Sequence, residues 1–213
     1  MSTAETTGPR ERYRAQVQAE IKQHAWEQLA ADGVAALSLK AIAKRMGMSG
    51  PALYRYYASR DELITALIRD AYRSLADTVR AAHQSGADLG GLAHAVREWA
   101  LEDPQRYLLI YGTPVPGYHA PADTTAISNE VMTVLIAASR RAANSGRPIE
   151  AHLAQHRHWA DDRSAPAAAL RQALAFWTRV HGVLSLELAG HFAGMGFDPA
   201  QLFDDEVATL TRG

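Results

Sequence analysis

Apolar residues recur at intervals of three and four along nearly the whole chain, and no run of alternating β-branched residues interrupts them. That period belongs to helices with one buried face, and it excludes a sheet as the organising element. The expected fold is therefore all-α. Pro9 precedes a first helix over residues 10–32, with an inward stripe of Val17, Ile21, Ala25 and Leu29 and an exit at Asp32-Gly33. Ser38 starts a second helix to about Met46, and Ser49 a third over 50–57, with Pro51 tolerated in its first turn. Ser59 and Glu62 have the capping-box spacing that opens a long fourth helix, whose stripe is Ile64, Ile68, Ala71, Leu75 and Val79. Later helices are expected from near Gly90-Gly91 to Glu102-Asp103, then over 104–112, 122–144, 167–194 and 199–211, with 145–166 a polar connection.

A chain of 213 residues buries a core unaided. The absence of cysteine excludes disulfides, Cys-ligated zinc, iron–sulfur clusters and a cysteine nucleophile. No apolar run approaches the ~18 residues of a membrane span, and the polar start Met1–Pro9 lacks a signal core. A cytoplasmic protein with a flexible lead over 1–9 is expected.

Charge is uneven. Residues 1–60 carry nine basic side chains (Arg10, Arg12, Arg14, Lys22, Lys40, Lys44, Arg45, Arg55, Arg60) against five acidic ones, a net of +4. Residues 61–213 carry thirteen against eighteen, a net of −5, and the two sum to the overall −1. A basic head on an acidic body is the footprint of a protein that meets a polyanion with one end.

Ser38–Tyr57 falls in that head. Two short helices meeting at a sharp angle need a small residue at their contact, a glycine in the turn and apolar residues facing the first helix. Ala43, Gly47 and the set Ile42, Met46, Met48 and Leu53 supply them. In such a helix-turn-helix the second helix enters the major groove of double-stranded DNA.

The stretch Ala41-Ile-Ala-Lys-Arg-Met-Gly47, then Ser49-Gly-Pro-Ala-Leu-Tyr-Arg-Tyr-Tyr57, then Ser59-Arg-Asp-Glu-Leu63 resembles the DNA-binding head of the TetR family of transcriptional regulators. The resemblance covers about residues 10–70. It departs at Tyr56-Tyr57, where the family has His-Phe, and at Arg60, where it has Lys. It implies that Tyr54 and Tyr56 donate hydroxyls to phosphates and that Arg60 pairs with one. It also implies that Ser38 and Ser49 cap helices whose amides face phosphates. Such contacts position the protein, and base reading falls to Lys40, Gly50, Pro51, Ala52 and Arg55. Gly50 has no side chain, and Pro51 and Ala52 reach only thymine methyls. Lys40 and Arg55 suit guanine or a further phosphate.

In the body, Leu170, Leu174, Trp177, His181, Leu184, Leu188 and Phe192 form a seam close to a heptad. A second face carries Phe176, Val180, Val183 and Leu186. A helix apolar on two faces is expected to pack inside the subunit and against a second copy. Leu184, Leu188 and Phe192, with Leu202, Val207 and Leu210 of the last helix, are the expected homodimer interface. Trp177-Thr-Arg-Val-His181-Gly182 and Asp103–Pro114 are similar to the Trp-His-Gly type of TetR C-terminal domain, over most of 95–210. Gly182 is expected to let another helix come close. The family's cavity implies an effector site formed by Trp99, Tyr107, Tyr111, Tyr118, Trp177 and His181, lined for a small apolar or aromatic molecule. For each of these side chains alone, core packing is the competing role.

His152, His156 and His158, with Asp161 and Asp162 nearby, have spacing that suits zinc. The stretch is polar, Arg157 intervenes and nothing fixes a third ligand, so no metal is expected. No nucleophile elbow, phosphate-cradling loop or dinucleotide fingerprint occurs, and no cofactor is expected. The sequence thus reads as a DNA-binding head over 10–60 and a ligand-binding, dimerising helical-bundle body over 61–213. Its expected function is that of a repressor released by an effector that moves the fourth helix. The rival is a helical enzyme or carrier that keeps the head as a structural element, and it predicts no salt-dependent DNA binding.

Overall fold

The computed structural model describes residues 8–112 and 121–211. Among these the chain is helical without a strand: α1 Pro9–Asp32, α2 Leu39–Arg45, α3 Gly50–Leu53, α4 Arg60–Gln84, α5 Leu89–Glu102, α6 Pro104–Tyr111, α7 Ala122–Ala138, α8 Pro148–Gln155, α9 Ala167–Leu188 and α10 Pro199–Thr211. Two compact units are present, and the residues of α4 divide between them after Leu67.

In the first unit, α1 buries the expected stripe Val17, Ile21, Ala25 and Leu29. Gly33, at φ +75°, ends it by donating its amide to the Leu29 carbonyl. A 3-10 turn, Val34–Ala36, follows and packs on α1. Leu37, Leu39, Ile42, Ala43, Leu53 and Tyr57 are buried, as are Leu63, Ile64 and Leu67 of α4. Gly47 turns at φ +64°, a conformation cheap only for glycine, and Met48 donates to the Ala43 carbonyl at 2.9 Å. α3 is shorter than expected. Regular helix stops at Leu53, and Arg55 and Tyr56 close tighter i→i−3 bonds on Ala52 and Leu53. The Ser59 hydroxyl accepts from the Glu62 amide at 3.1 Å, but the Glu62 carboxylate reaches the Ala58 amide, one residue outside the expected box.

In the second unit, α9 packs against α5, α6, α7, α8 and α10. Leu170, Ala173, Phe176, Val180, Val183 and Leu184 of α9 join Leu75 and Val79 of α4, Leu92, Val96 and Trp99 of α5, Leu135 of α7 and Phe203 of α10 in one apolar core. Asp88 caps α5 by accepting from Gly91 at 2.9 Å, and Asp103 caps α6 by accepting from Arg106 at 3.1 Å. Arg97 of α5 forks onto the Glu187 carboxylate of α9 and lies over the Phe203 ring at 5.0 Å, so one guanidinium ties three helices.

Three boundaries in this unit differ from expectation. α9 ends at Leu188 rather than near 194: Gly190 takes φ +77°, and the His191 amide folds back to Leu186 at 2.9 Å. α7 ends at Ala138 rather than near 144, although no local breaker stands there. The stretch read as a polar connection contains α8, which Pro148 starts and which buries Leu153 and Glu150. Glu150 accepts from the Ser145 hydroxyl and from Arg171 Nε of α9, each at 2.8 Å, so tertiary hydrogen bonds fasten this short polar helix.

Candidate functional site

The helix-turn-helix presents a basic face. Lys40 and Lys44, four residues apart on α2, are both exposed, and Arg55 and Pro51 are exposed beside α3. With Ser38, Ala41 and Gly50, the two lysines line a shallow depression. Tyr54 is 51% exposed, and its hydroxyl has no hydrogen-bond partner among the described residues. Ser38, Gly50, Ala52 and Tyr56 are half-buried and Ser49 is exposed. The Ser38 hydroxyl accepts from the Ala41 amide at 3.3 Å. Ser49 stands at the cap of α3 without a side-chain capping bond, which leaves its hydroxyl available.

Other basic residues of the head have internal roles. Arg45 pairs with Glu27 at 2.8 Å, and Glu27, held by the His24 imidazole and by Arg45, sits below the usual carboxylate range. Arg14 lies over the Tyr56 ring at 5.4 Å and donates to the Arg55 carbonyl at 3.4 Å. Arg60 has a role within the fold that its expected phosphate contact did not include. Its Nη2 donates to the Val34 carbonyl at 2.5 Å and to that of Ala35 at 3.4 Å, and its Nε to that of Leu37 at 3.2 Å. The guanidinium braces the turn between α1 and α2. Lys44, which the sequence argument counted only as charge, joins the exposed face; its i+4 spacing from Lys40 was the signal.

The body gathers four of the expected effector residues. Tyr107 and Tyr111 of α6 meet Trp177 and His181 of α9: ring centroids are 5.2 Å apart for Tyr107–Tyr111, 4.2 Å for Tyr111–His181, 4.1 Å for Trp177–His181 and 5.7 Å for Tyr111–Trp177. The i+4 spacing within each helix puts each pair on one face, and packing of α6 on α9 brings the pairs together. The Tyr107 hydroxyl lies 3.0 Å from His181 Nδ1 and 2.8 Å from the Ser185 hydroxyl. Burial pushes the His181 imidazole down to about 4, so it is neutral at physiological pH, and pushes the Tyr111 phenol well above its ordinary value. The Tyr111 hydroxyl and His181 Nε2 are buried without a hydrogen-bond partner. Tyr72 of α4 meets Tyr111 edge-on at 6.0 Å. Tyr72 and Ser185 were missed by the sequence argument, although Ser185 stands one helical turn after His181.

Trp99 does not join these rings. Its indole N–H donates to the Ser74 hydroxyl at 3.0 Å, Arg106 lies over its face, and it lines a separate groove with Glu98 and Glu102. Tyr118 lies outside the described residues.

The residues of the expected dimer face divide into two groups. Leu184, Val207 and Leu210 are buried inside the single chain and have no surface left to offer, while Leu188, Phe192 and Leu202 are half-buried. The exposed line of α9 is instead Thr178, Gly182 and Leu186, the last 45% exposed. Among the described residues nothing beyond its own helix lies within 4 Å of a Cβ built on Gly182, so none of them makes the close approach expected there.

The His152 and His156 rings stack at 4.2 Å, but Asp161 accepts from Thr133 and Asp162 from Ser164 and Arg140. Among the described residues no group of three or more His, Asp or Glu is placed to hold a metal, and no helix is long and apolar enough to cross a membrane.

Comparison with known proteins agrees with both units. A family model described as bacterial regulatory proteins of the tetR family matches residues 21–67, and one described as the tetracyclin repressor-like C-terminal domain matches residues 89–210. The HTH-type transcriptional regulator Rv1816 of Mycobacterium tuberculosis is 37% identical over 95% of this chain and 94% of its own. The crystal structure of SCO4313, described as a regulatory protein, is 65% identical and superposes with a TM-score of 0.91 over 97% of this chain and 100% of its own. PfmR of Thermus thermophilus, a TetR family transcriptional regulator, is 17% identical with a TM-score of 0.58 over 91% of this chain and 97% of its own, a likeness of fold alone. With its helix-turn-helix and its helical body both matched, the chain belongs to the TetR family of DNA-binding transcriptional regulators.

Proposed function

We propose that the protein is a homodimeric repressor that occupies an operator through residues 10–60 and leaves it when a small apolar or aromatic effector binds the body, residues 61–213. The observation that carries this reading is the aromatic cluster itself. Tyr107, Tyr111, Trp177 and His181 enclose two unpartnered polar atoms, and Tyr72 links the cluster to α4. An effector that displaces Tyr111 presses on Tyr72, and α4 also contributes residues to the head. The effector acts only through its preference for one arrangement of the dimer. By linkage, any molecule that lowers operator affinity binds the DNA-bound dimer more weakly by the same factor.

In the head, Lys40 and Arg55 are the proposed base readers and Tyr54, Tyr56, Ser38 and Ser49 the positioning contacts, with Gly50, Pro51 and Ala52 against the groove floor. Exposure of Lys40, Lys44, Arg55 and Tyr54 supports this sorting. In the body, the line Thr178, Gly182 and Leu186 is the proposed face for a second copy, since a glycine flanked by open space lets a symmetry-related helix come close.

The test is a footprint on the DNA upstream of the protein's own gene, repeated across salt concentrations and with candidate aromatic compounds. Two protected half-sites about one helical turn apart, and an affinity that falls steeply with salt, are expected. An enzyme or carrier with a structural head shows neither.

A further inference from the structure

The polar wiring of the α6–α9 cluster restricts what its occupant can be. Tyr107 has one hydroxyl proton and three neighbours: His181 Nδ1 at 3.0 Å, the Ser185 hydroxyl at 2.8 Å and, at the outer limit of a hydrogen bond, the His181 carbonyl at 3.5 Å. If Tyr107 donates to Nδ1, the Ser185 hydroxyl donates to the Tyr107 oxygen and both protons have acceptors. If Nδ1 carries the proton and donates to Tyr107, then either Tyr107 donates to Ser185, and the serine proton finds no acceptor among the described residues, or Tyr107 exchanges its donated bond of 3.0 Å for the marginal one to the His181 carbonyl at 3.5 Å. The first wiring leaves fewer groups unmet, and satisfied networks are the rule in buried sites. A neutral imidazole whose Nδ1 accepts must carry its proton on Nε2.

His181 Nε2 is thus a donor, and it is one of the two buried polar atoms of the cluster left without a partner. The other, the Tyr111 hydroxyl, is a donor as well, because burial keeps that phenol protonated. Both belong to one pair of rings, 4.2 Å apart between centroids. What is missing is an acceptor, and the surroundings decide which kind. Tyr107 and Trp177 complete the cluster, and among the described residues no arginine lies over the rings of Tyr111, Trp177 or His181 and none pairs with the two open polar atoms. An ionised carboxylate would enter with no opposite charge beside it, at a prohibitive desolvation cost. A carbonyl oxygen accepts two hydrogen bonds and carries no charge.

We infer that the effector is an uncharged, ring-bearing carbonyl compound whose oxygen is received jointly by the Tyr111 hydroxyl and the His181 Nε2–H. This rests on the reading of the cluster as the effector site. The aromatic rings of Trp177 and Tyr107 then receive the body of the molecule, while the two donors select its head group.

The test uses the full-length protein labelled with 15N-histidine, the His181 signals being assigned by their loss in His181→Gln. Without any ligand, the His181 nitrogens should show the Nε2–H tautomer; the Nδ1–H tautomer would overturn the inference. Three probes of one-ring size then follow by saturation-transfer NMR: acetophenone, isopropylbenzene and benzoate. Acetophenone should bind about tenfold more tightly than isopropylbenzene, the gain of one good hydrogen bond, and benzoate should not bind. Tyr111→Phe should narrow the gap between acetophenone and isopropylbenzene without closing it, because His181 Nε2–H still donates. Equal binding of ketone and hydrocarbon, with His181 signals shifting in both, would overturn the carbonyl assignment while leaving the effector site in place. Binding that leaves the His181 signals unmoved would remove the effector site, and the absence of binding by all three probes would overturn the inference.

Discussion

The guanidinium of Arg60 donates to the carbonyl oxygen of Val34 at 2.5 Å, so the first residue of α4 holds the turn that delivers the chain from α1 to α2. Hydrogen bonds from a charged donor to backbone carbonyls contribute more than neutral ones. Arg60→Ala should therefore destabilise the head by ~1–3 kcal/mol and raise amide hydrogen exchange over 34–39. Arg60→Lys should recover only part of this, because an ammonium cannot fork across three carbonyls. Unchanged exchange in Arg60→Ala would return the residue to the phosphate role.

Tyr54 should behave differently. Its exposed hydroxyl has no partner among the described residues, so Tyr54→Phe should leave thermal stability unchanged and weaken binding to every DNA sequence about equally. Lys40→Ala and Arg55→Ala should relax preference at particular base pairs, by ~1–3 kcal/mol where the contact is bidentate. Binding titrations against an operator and a set of single-base variants separate the two outcomes. Identical effects on specificity would show the sorting to be wrong.

Two tyrosines one helical turn apart should respond oppositely to the loss of a hydroxyl. Tyr107→Phe strips the partner from both His181 Nδ1 and Ser185 and should cost ~1–3 kcal/mol. Tyr111→Phe removes a buried hydroxyl that had no partner and should be neutral or slightly stabilising. Urea denaturation midpoints of the two variants provide the comparison.

His181 should make stability depend on pH. Burial holds its folded pKa near 4, against 6.5 for the free group. Between these values the unfolded chain binds a proton that the folded chain refuses, so stability rises with pH across that window and falls on acidification. The full effect is up to ~3 kcal/mol, complete only near pH 4 and absent above about pH 7. The stability difference between wild type and His181→Gln, measured by urea denaturation from pH 7 to 4, should shift against wild type as the pH falls. A difference that stays constant would mean the imidazole charges freely in the fold.

Neighbouring leucines of α9 should distinguish core from interface. Leu184 is fully buried in one chain, so Leu184→Arg should prevent folding by placing an unpaired charge in the core. Leu186 is 45% exposed, so Leu186→Arg should leave the protomer folded and prevent pairing of two copies. Sedimentation with circular dichroism checks both. A helical Leu186→Arg variant that retains the dimer mass would exclude the proposed face.

Much of the architecture was legible because its causes are local. The stripe Val17, Ile21, Ala25 and Leu29 is buried as its spacing predicts, and Gly33 and Gly47 take the positive φ that their places demand. Asp32-Gly33, Asp103-Pro104 and Pro199 mark helix ends through cap and ring chemistry that acts within a few residues. What escaped depends on groups distant in the chain. α8 is stabilised by Arg171 of α9 reaching Glu150, and no helical pattern in its own eight residues is strong enough to announce it. The seam of α9 looked available to a second copy because apolar spacing states that a face is buried without stating against what; packing on α5 to α8 and α10 decides that Leu184 belongs to the core and leaves Leu186 outside. Arg60 counted as positive charge in the sequence, and only the folded turn at Val34–Leu37 turns that charge inward. The aromatic cluster lies between these cases: residue type and i+4 spacing marked Tyr107, Tyr111, Trp177 and His181, whereas the contact of α6 with α9 brought them together and left the Tyr111 hydroxyl and His181 Nε2 without a partner.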